Sequence, residues 1–248
     1  MSVAAGIEVV ENGLLDGRVR LRQPAKGYRA GMDAALLAAA VEAKAGERVF
    51  EAGCGAGAVL MQIAARRSGV RLVGVERDPA MAALARENAA LNRAEAEVIE
   101  GDVAAGFRAL GLAPFDHAVS NPPFFDDPGA LRAPAEGKRG AWMADDGLGA
   151  WTRFLLKAVR EGGTVTVIHR ADRLADLLAG LGATAGSFAV RPVHAFADEP
   201  AKRVLVRAVK TGKAPLRLLP ALVLHDRGGG KHTAEVEAVL RGEAGLGW

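Results

Sequence analysis

Polar and apolar positions divide this chain into a short opening, a long regular alternation and a basic tail. Arg18-Val19-Arg20-Leu21-Arg22 alternates charge with apolar side chains, the period of a half-exposed strand. Gly13 and Gly17 read as turn positions before it. The Ala- and Leu-rich residues 33–41 predict a helix that Gly46 ends. From residue 48, short apolar runs take turns with amphipathic stretches. Strands are predicted at 48–52, 70–76, 96–99 and 115–120. A helix at 58–67 follows the first strand. Asp78-Pro79, an N-cap with proline in the first turn, opens a second helix, with Met81, Leu84 and Leu91 as its buried face. Gly101-Asp102 and a short helix follow the third strand.

Residues 125–147 break the pattern. Pro128, Gly129, Pro134, Gly137 and Gly140 punctuate them and no period survives, which predicts a long functional loop. The alternation then resumes with a helix at 151–159, a strand at 164–169 and a helix at 172–181. Strands at 188–194 and 204–209 have no crossover helix between them and are expected to be antiparallel. A final helix at 233–241 has Thr233 to cap it, Glu235 at its positive end and Gly242 to stop it. This order predicts an α/β, Rossmann-like, doubly wound and mostly parallel seven-stranded sheet, with an antiparallel strand near the C-terminus. One domain over 1–248 is expected, with a strand-and-helix extension at 1–46 and a basic extension at 211–248.

Composition adds two constraints. The 248 residues include one cysteine, Cys54, so no intrachain disulfide forms and a reducing compartment is expected. No run of eighteen apolar residues and no basic-then-apolar leader occurs, so the expected location is the cytoplasm, away from membranes. The formal net charge is +3, but residues 200–248 hold nine Lys or Arg against four Asp or Glu. Arg18, Arg20, Arg22, Lys26 and Arg29 form a second basic group. Both suit an anionic partner such as nucleic acid.

The chemistry concentrates at two strand ends. Glu51-Ala52-Gly53-Cys54-Gly55-Ala56-Gly57 is a glycine-rich turn between a strand and a helix, suited to close approach by a ligand. It also scores as the dinucleotide fingerprint. Glu51 separates the two readings: a carboxylate there suits an ammonium group and repels a pyrophosphate. Glu76, ending the second strand, can take both hydroxyls of a ribose. Asp102 is placed to accept from an adenine amine, or serves as a turn residue. Cys54 is small enough for a tight turn and is given no catalytic role. Asn121-Pro122-Pro123-Phe124 ends the fourth strand. The Asn121 oxygen and the Pro122 carbonyl can accept both N–H bonds of a planar amine. Pro123 stiffens the turn and Phe124 can stack on a base. Such a site pulls the nitrogen towards tetrahedral geometry and localises its lone pair. Orientation and fixed dipoles then supply most of the rate, with no general base and no metal required.

These two motifs resemble the class I S-adenosylmethionine-dependent N-methyltransferases of the Asn-Pro-Pro-aromatic type. Gln23-Pro24-Ala25-Lys26-Gly27-Tyr28-Arg29, Asp33-Ala34 and Leu36-Leu37 narrow the resemblance to the bacterial tRNA1(Val) adenine-N(6) methyltransferase family. Pro215-Leu216-Arg217, Leu222-Val223-Leu224-His225 and the helix ending Leu240-Arg241-Gly242 are similar to that family as well. The resemblance implies methylation of an adenine amine in tRNA, beside the anticodon of tRNA(Val). It implies S-adenosyl-L-methionine held by Asp33, Glu51, Gly53, Gly55, Gly57, Glu76 and Asp102. Asn121, Pro122, Pro123 and Phe124 would act on the target base. Tyr28, Arg29 and Phe124 would meet the RNA, and Arg132, Lys138 and Arg139, by their place in the long loop after the tetrapeptide, are expected to meet its phosphates. The sequence departs from the family's Arg-His-Glu-like element, where Lys138-Arg139-Gly140-Ala141-Trp142 stands. An rRNA guanine amine methyltransferase and a release-factor glutamine methyltransferase share the tetrapeptide. A non-catalytic RNA-binding module and a nicotinamide oxidoreductase explain less of the pattern.

Overall fold

The computed structural model describes residues 8–26, 30–123 and 147–248. Strands β1 (Val9–Leu14) and β2 (Val19–Pro24) form an antiparallel hairpin apart from the main sheet. Val19, Leu21 and Gln23 face inward and Arg18 and Arg20 outward, as the charge alternation requires. Gly17 takes a left-handed turn conformation, whereas Gly13 lies within β1 opposite Arg20. Helix α1 (Met32–Ala39) follows, and its last six residues are all buried.

The main sheet contains β3 (Arg48–Ala52), β4 (Arg71–Glu76), β5 (Ala96–Glu100), β6 (Phe115–Ser120), β7 (Val159–Arg170), β8 (Ala185–His194) and β9 (Ala201–Lys210). Two two-residue strands, β10 (Arg217–Leu218) and β11 (Leu222–Val223), add to β8, so the sheet has nine strands. These two pair with β8 through so few residues that no run of alternation betrays them. The order is β10-β8-β9-β7-β6-β3-β4-β5. Strand β9 runs antiparallel to both of its neighbours, β7 and β8, and the remaining pairs are parallel.

Helices α2 (Ala58–Arg66) and α3 (Pro79–Leu91) connect β3 to β4 and β4 to β5. Helices α4 (Gly147–Ala158) and α5 (Leu174–Leu181) flank β7, and α6 (Ala234–Arg241) lies near the end of the chain. Successive strand residues serve opposite faces. Val49, Leu72 and Val119 pack with α1, α2 and α6. Phe50, Val73, Val75 and Ala118 pack with α4 and α5. Burial on both sides is why these strands read as nearly continuous apolar runs. On the α4 face, Phe50, Phe107, Phe115 and Phe154 pack ring to ring at 5.0–6.2 Å between centroids. Two short 3-10 turns, Val103–Ala105 and Phe107–Leu110, replace the helix expected after β5.

The strand order reverses between β3 and β6. From β3 the chain works outward to β4 and β5, and then returns to pair β6 with β3. At such a switch point the loops after the two strands diverge and leave a crevice at their C-terminal ends. Both sequence motifs lie at that point.

Candidate active site

The glycine turn leaves β3 over the end of β4. The N–H groups of Gly53 and Cys54 both donate to the Val75 carbonyl, at 2.9 and 3.0 Å. Gly53, Gly55 and Gly57 all have positive φ. At Gly53 the reason is close packing: a Cβ there would stand 2.5 Å from Cη2 of Trp151. Gly57 begins α2 in the left-handed conformation, and a Cβ there would meet Ala85 of α3 at 3.3 Å. Cys54 is buried, and Gly74 on β4 leaves the space its sulfur fills.

Glu76 ends β4 and is nearly buried. Its Oε2 accepts from the Gly55 N–H at 2.8 Å, and its Oε1 accepts from the N–H groups of Arg77 and Asp78 at 2.9 and 3.0 Å. One carboxylate therefore ties the glycine turn to the start of the next loop. Its oxygens have about four lone-pair sites, so it retains capacity for a ligand hydroxyl. Asp78 caps α3 by accepting from the N–H groups of Ala80 and Met81.

Across the crevice, Ser120 at the end of β6 donates to the Ala52 carbonyl at 2.8 Å. This bond clips the start of Asn121-Pro122-Pro123 to the start of the glycine turn. Pro122 is buried, while Asn121 and Pro123 are half-buried.

A cavity of about 280 Å³ lies between these turns. Glu51, Gly53, Gly55, Ala56, Glu76, Asp78 and Asn121 line it, together with Gln23, Lys26, Ala30 and Ala34 from the N-terminal part. A smaller cavity of about 50 Å³ shares Gly53, Glu76 and Arg77 and adds Asp102, Val103, Pro123 and Trp151. Glu51 is 2% exposed at one end, and Glu76 stands where the two cavities meet. The lining fits S-adenosylmethionine: one carboxylate would suit the ammonium, a second the ribose, and the adjoining cavity with Asp102 the base.

The structure thus brings together Glu51, Gly53, Gly55, Glu76 and Asn121 around one cavity, with Asp102 and Pro123 around the adjoining one. Asp102 also accepts from the Ala104 N–H at 2.9 Å, capping the turn after β5. Gly57 and Asp33 are not among the lining residues. Asp33 accepts from Nε of Arg203 at 3.0 Å. Tyr28, Arg29, Phe124, Arg132, Lys138 and Arg139 lie outside the described residues, as does most of the 125–147 segment.

Two expectations need correction. Met81 and Leu91 are only half-buried, and Met81 lines the cavity rather than the core, because Ala82, Leu84, Ala85, Asn88 and Ala89 form the inner face of α3. Two members of the opening basic group, Arg20 and Arg22, are paired within the protein. Arg20 and Arg22 both bind Glu11, at 2.8 and 3.2 Å, and their hydrogen bonds hold that carboxyl below its usual range. Arg18 donates to the Arg241 carbonyl. Gln23, Asn88 and Trp151, each a buried polar or aromatic residue at the site's edge, had no role assigned from the sequence. For Asn88 a signal existed: two asparagines at i and i+4 on a helix face otherwise made of alanine and leucine.

Comparison with known proteins agrees with this geometry. Residues 29–133 match the methyltransferase small domain. A release factor glutamine methyltransferase of Deinococcus radiodurans is 36% identical over 89 residues, 36% of this chain and 30% of that protein. A tRNA1(Val) (adenine(37)-N6)-methyltransferase of Porphyromonas gingivalis is 34% identical over 125 residues, 47% of this chain and 48% of that protein. These alignments span about half or less of the curated relatives' length. A crystal structure described as a predicted O-methyltransferase from Agrobacterium tumefaciens superposes with a TM-score of 0.72 at 29% identity, covering 87% of this chain and 99% of that one. Among the described residues no helix is long and apolar enough to cross a membrane. The sheet order and glycine turn are those of the class I methyltransferase fold, and residues 29–133 carry the methyltransferase small domain.

Proposed function

We propose that this protein methylates the exocyclic amine of an adenine in tRNA, beside the anticodon of tRNA(Val). The observation that carries the reading is the Asn121-Pro122-Pro123 turn, clipped by Ser120 to the glycine turn and opening on the same cavity as Glu51. Bound S-adenosylmethionine would supply an electrophilic methyl group on a sulfonium. The protein's own residues do the rest. The Asn121 side-chain oxygen and the Pro122 carbonyl accept the two N–H bonds of the amine. That geometry turns the nitrogen lone pair towards the cavity. Glu51 meets the ammonium and Glu76 a ribose hydroxyl, so the donor is held while the acceptor is oriented. The proton leaves after transfer, when the nitrogen carries positive charge and is acidic.

The kinship with the Porphyromonas tRNA enzyme supports adenine in tRNA as the target. A second reading, a glutamine side-chain amide in a protein, has support from the release-factor relative. An amide nitrogen is planar with a delocalised lone pair, so the same two acceptors would serve it. Incubation with labelled S-adenosylmethionine and either total RNA or purified release factor separates the two. Digestion of the RNA should release labelled N6-methyladenosine. Asn121→Ala should abolish most of that label, since loss of one preorganised polar group costs roughly 3–4 kcal/mol in a comparable setting. Label in the release factor alone would reverse the assignment.

A further inference from the structure

One wall of the larger cavity has no role in the reading above. Gln23, Pro24 and Lys26 form it, at the end of β2 and just after. Two asparagines on α3 fix its position. Asn88 Nδ2 donates to the Arg22 carbonyl at 2.8 Å, and its Oδ1 accepts from the Arg22 N–H at 2.8 Å. One helical turn later, Asn92 repeats the pair with Arg20, at 2.7 and 2.9 Å. The two amides therefore engage alternate backbone positions of β2, much as a neighbouring strand would. Asn88 also donates to the Ala56 carbonyl in the glycine turn at 2.9 Å. On the other side, the buried Gln23 donates to Asn12 at 3.2 Å and accepts from the Ala30 N–H at 2.7 Å. The hairpin wall is thus locked to the turn that faces it.

Charge gives this wall a purpose. Among the described residues lining the larger cavity, the cations are Lys26 and Arg77, against Glu51, Glu76 and Asp78. Arg77 also lines the smaller cavity with Asp102 and Val103, the adenosine side. Lys26 lines only the cavity that holds Glu51 and Asn121. The amino-acid end of the cofactor is a zwitterion. Glu51 suits its ammonium, but a carboxylate so close to Glu51 is repelled unless a cation meets it. We propose that Lys26, presented by the locked hairpin, holds the carboxylate of the cofactor's methionine end. The assignment rests on the cofactor reading of the site.

Calorimetry with two ligands tests it. S-adenosylhomocysteine carries the amino-acid end, and 5′-methylthioadenosine lacks it. Lys26→Gln should weaken S-adenosylhomocysteine by roughly tenfold, the equivalent of one charge-assisted bond at an open site. Methylthioadenosine should bind the parent and the variant alike, and Lys26→Arg should recover most of the loss. Unchanged affinity for S-adenosylhomocysteine in Lys26→Gln overturns the proposal. So does an equal loss for both ligands, which would mean that the wall had moved rather than that a carboxylate had lost its partner. A parent that binds neither ligand brings down the cofactor reading itself, and the proposal with it.

Discussion

Replacing Asn88 with alanine removes three hydrogen bonds at once: to the N–H and carbonyl of Arg22 and to the carbonyl of Ala56. The side chain is 0% exposed, so water does not take its place. A hydrogen bond contributes about 1 kcal/mol net, and a buried group left without a partner costs about 1–3 kcal/mol. Arg22 and Ala56 are both only half-buried, so their freed groups regain some solvent. We expect roughly 3 kcal/mol of lost stability, a large share of the 5–15 kcal/mol typical of a domain. Asn92 makes a comparable set of bonds to Arg20 but is half-buried, so Asn92→Ala should cost about 1 kcal/mol. Urea unfolding gives both values. Amide hydrogen exchange at residues 20 and 22 locates the effect, since in Asn88→Ala these amides should exchange faster than those of β3. Equal costs for the two variants, or less than about 1 kcal/mol for Asn88→Ala, would refute the picture of a hairpin locked through one buried amide.

Three other outcomes are expected. Gly53→Ala places a methyl group 2.5 Å from the Trp151 ring at a positive φ, and should cost about 2–4 kcal/mol in unfolding experiments; a Trp151→Leu background should recover the clash, and additive costs would argue against contact. His169 is buried, and burial, then Arg173, Arg170 and Arg203, lower its pKa to about 4 from 6.5. The unfolded chain binds the extra proton, so stability should fall as pH drops from 6.5 to 4, by about 3 kcal/mol at most, and His169→Gln should flatten that part of the profile. Replacing Arg20 and Arg22 with alanine should leave the salt dependence of RNA binding unchanged, because both already bind Glu11; a slope reduced by about 0.7 or more per residue would place them on phosphate.

The sequence alone determined most of the strand and helix alternation between residues 48 and 120, because β3 and β4 are buried on both faces and read as apolar runs, and α3 carries its own start signal. β6 at Phe115–Ser120, Asp78 as the cap of α3 and Thr233 as the cap of α6 were legible to the residue. The two chemical motifs were legible for the same reason: glycine and proline restrict the backbone locally, wherever the chain later folds. Contacts between distant segments were not. That Gln23 and Lys26 wall the cavity depends on Asn88, sixty-five residues beyond Gln23, meeting the backbone of β2. Among the basic residues after 200, the sheet separates those on β9. Lys202 and Arg203 begin β9 at the crevice edge, Arg207 binds Glu42, and Lys210 ends β9 at the opposite edge, beside Glu161. Charge counted along a chain ignores strand direction and partners. Only the tertiary structure decides which cations face solvent and which are already paired.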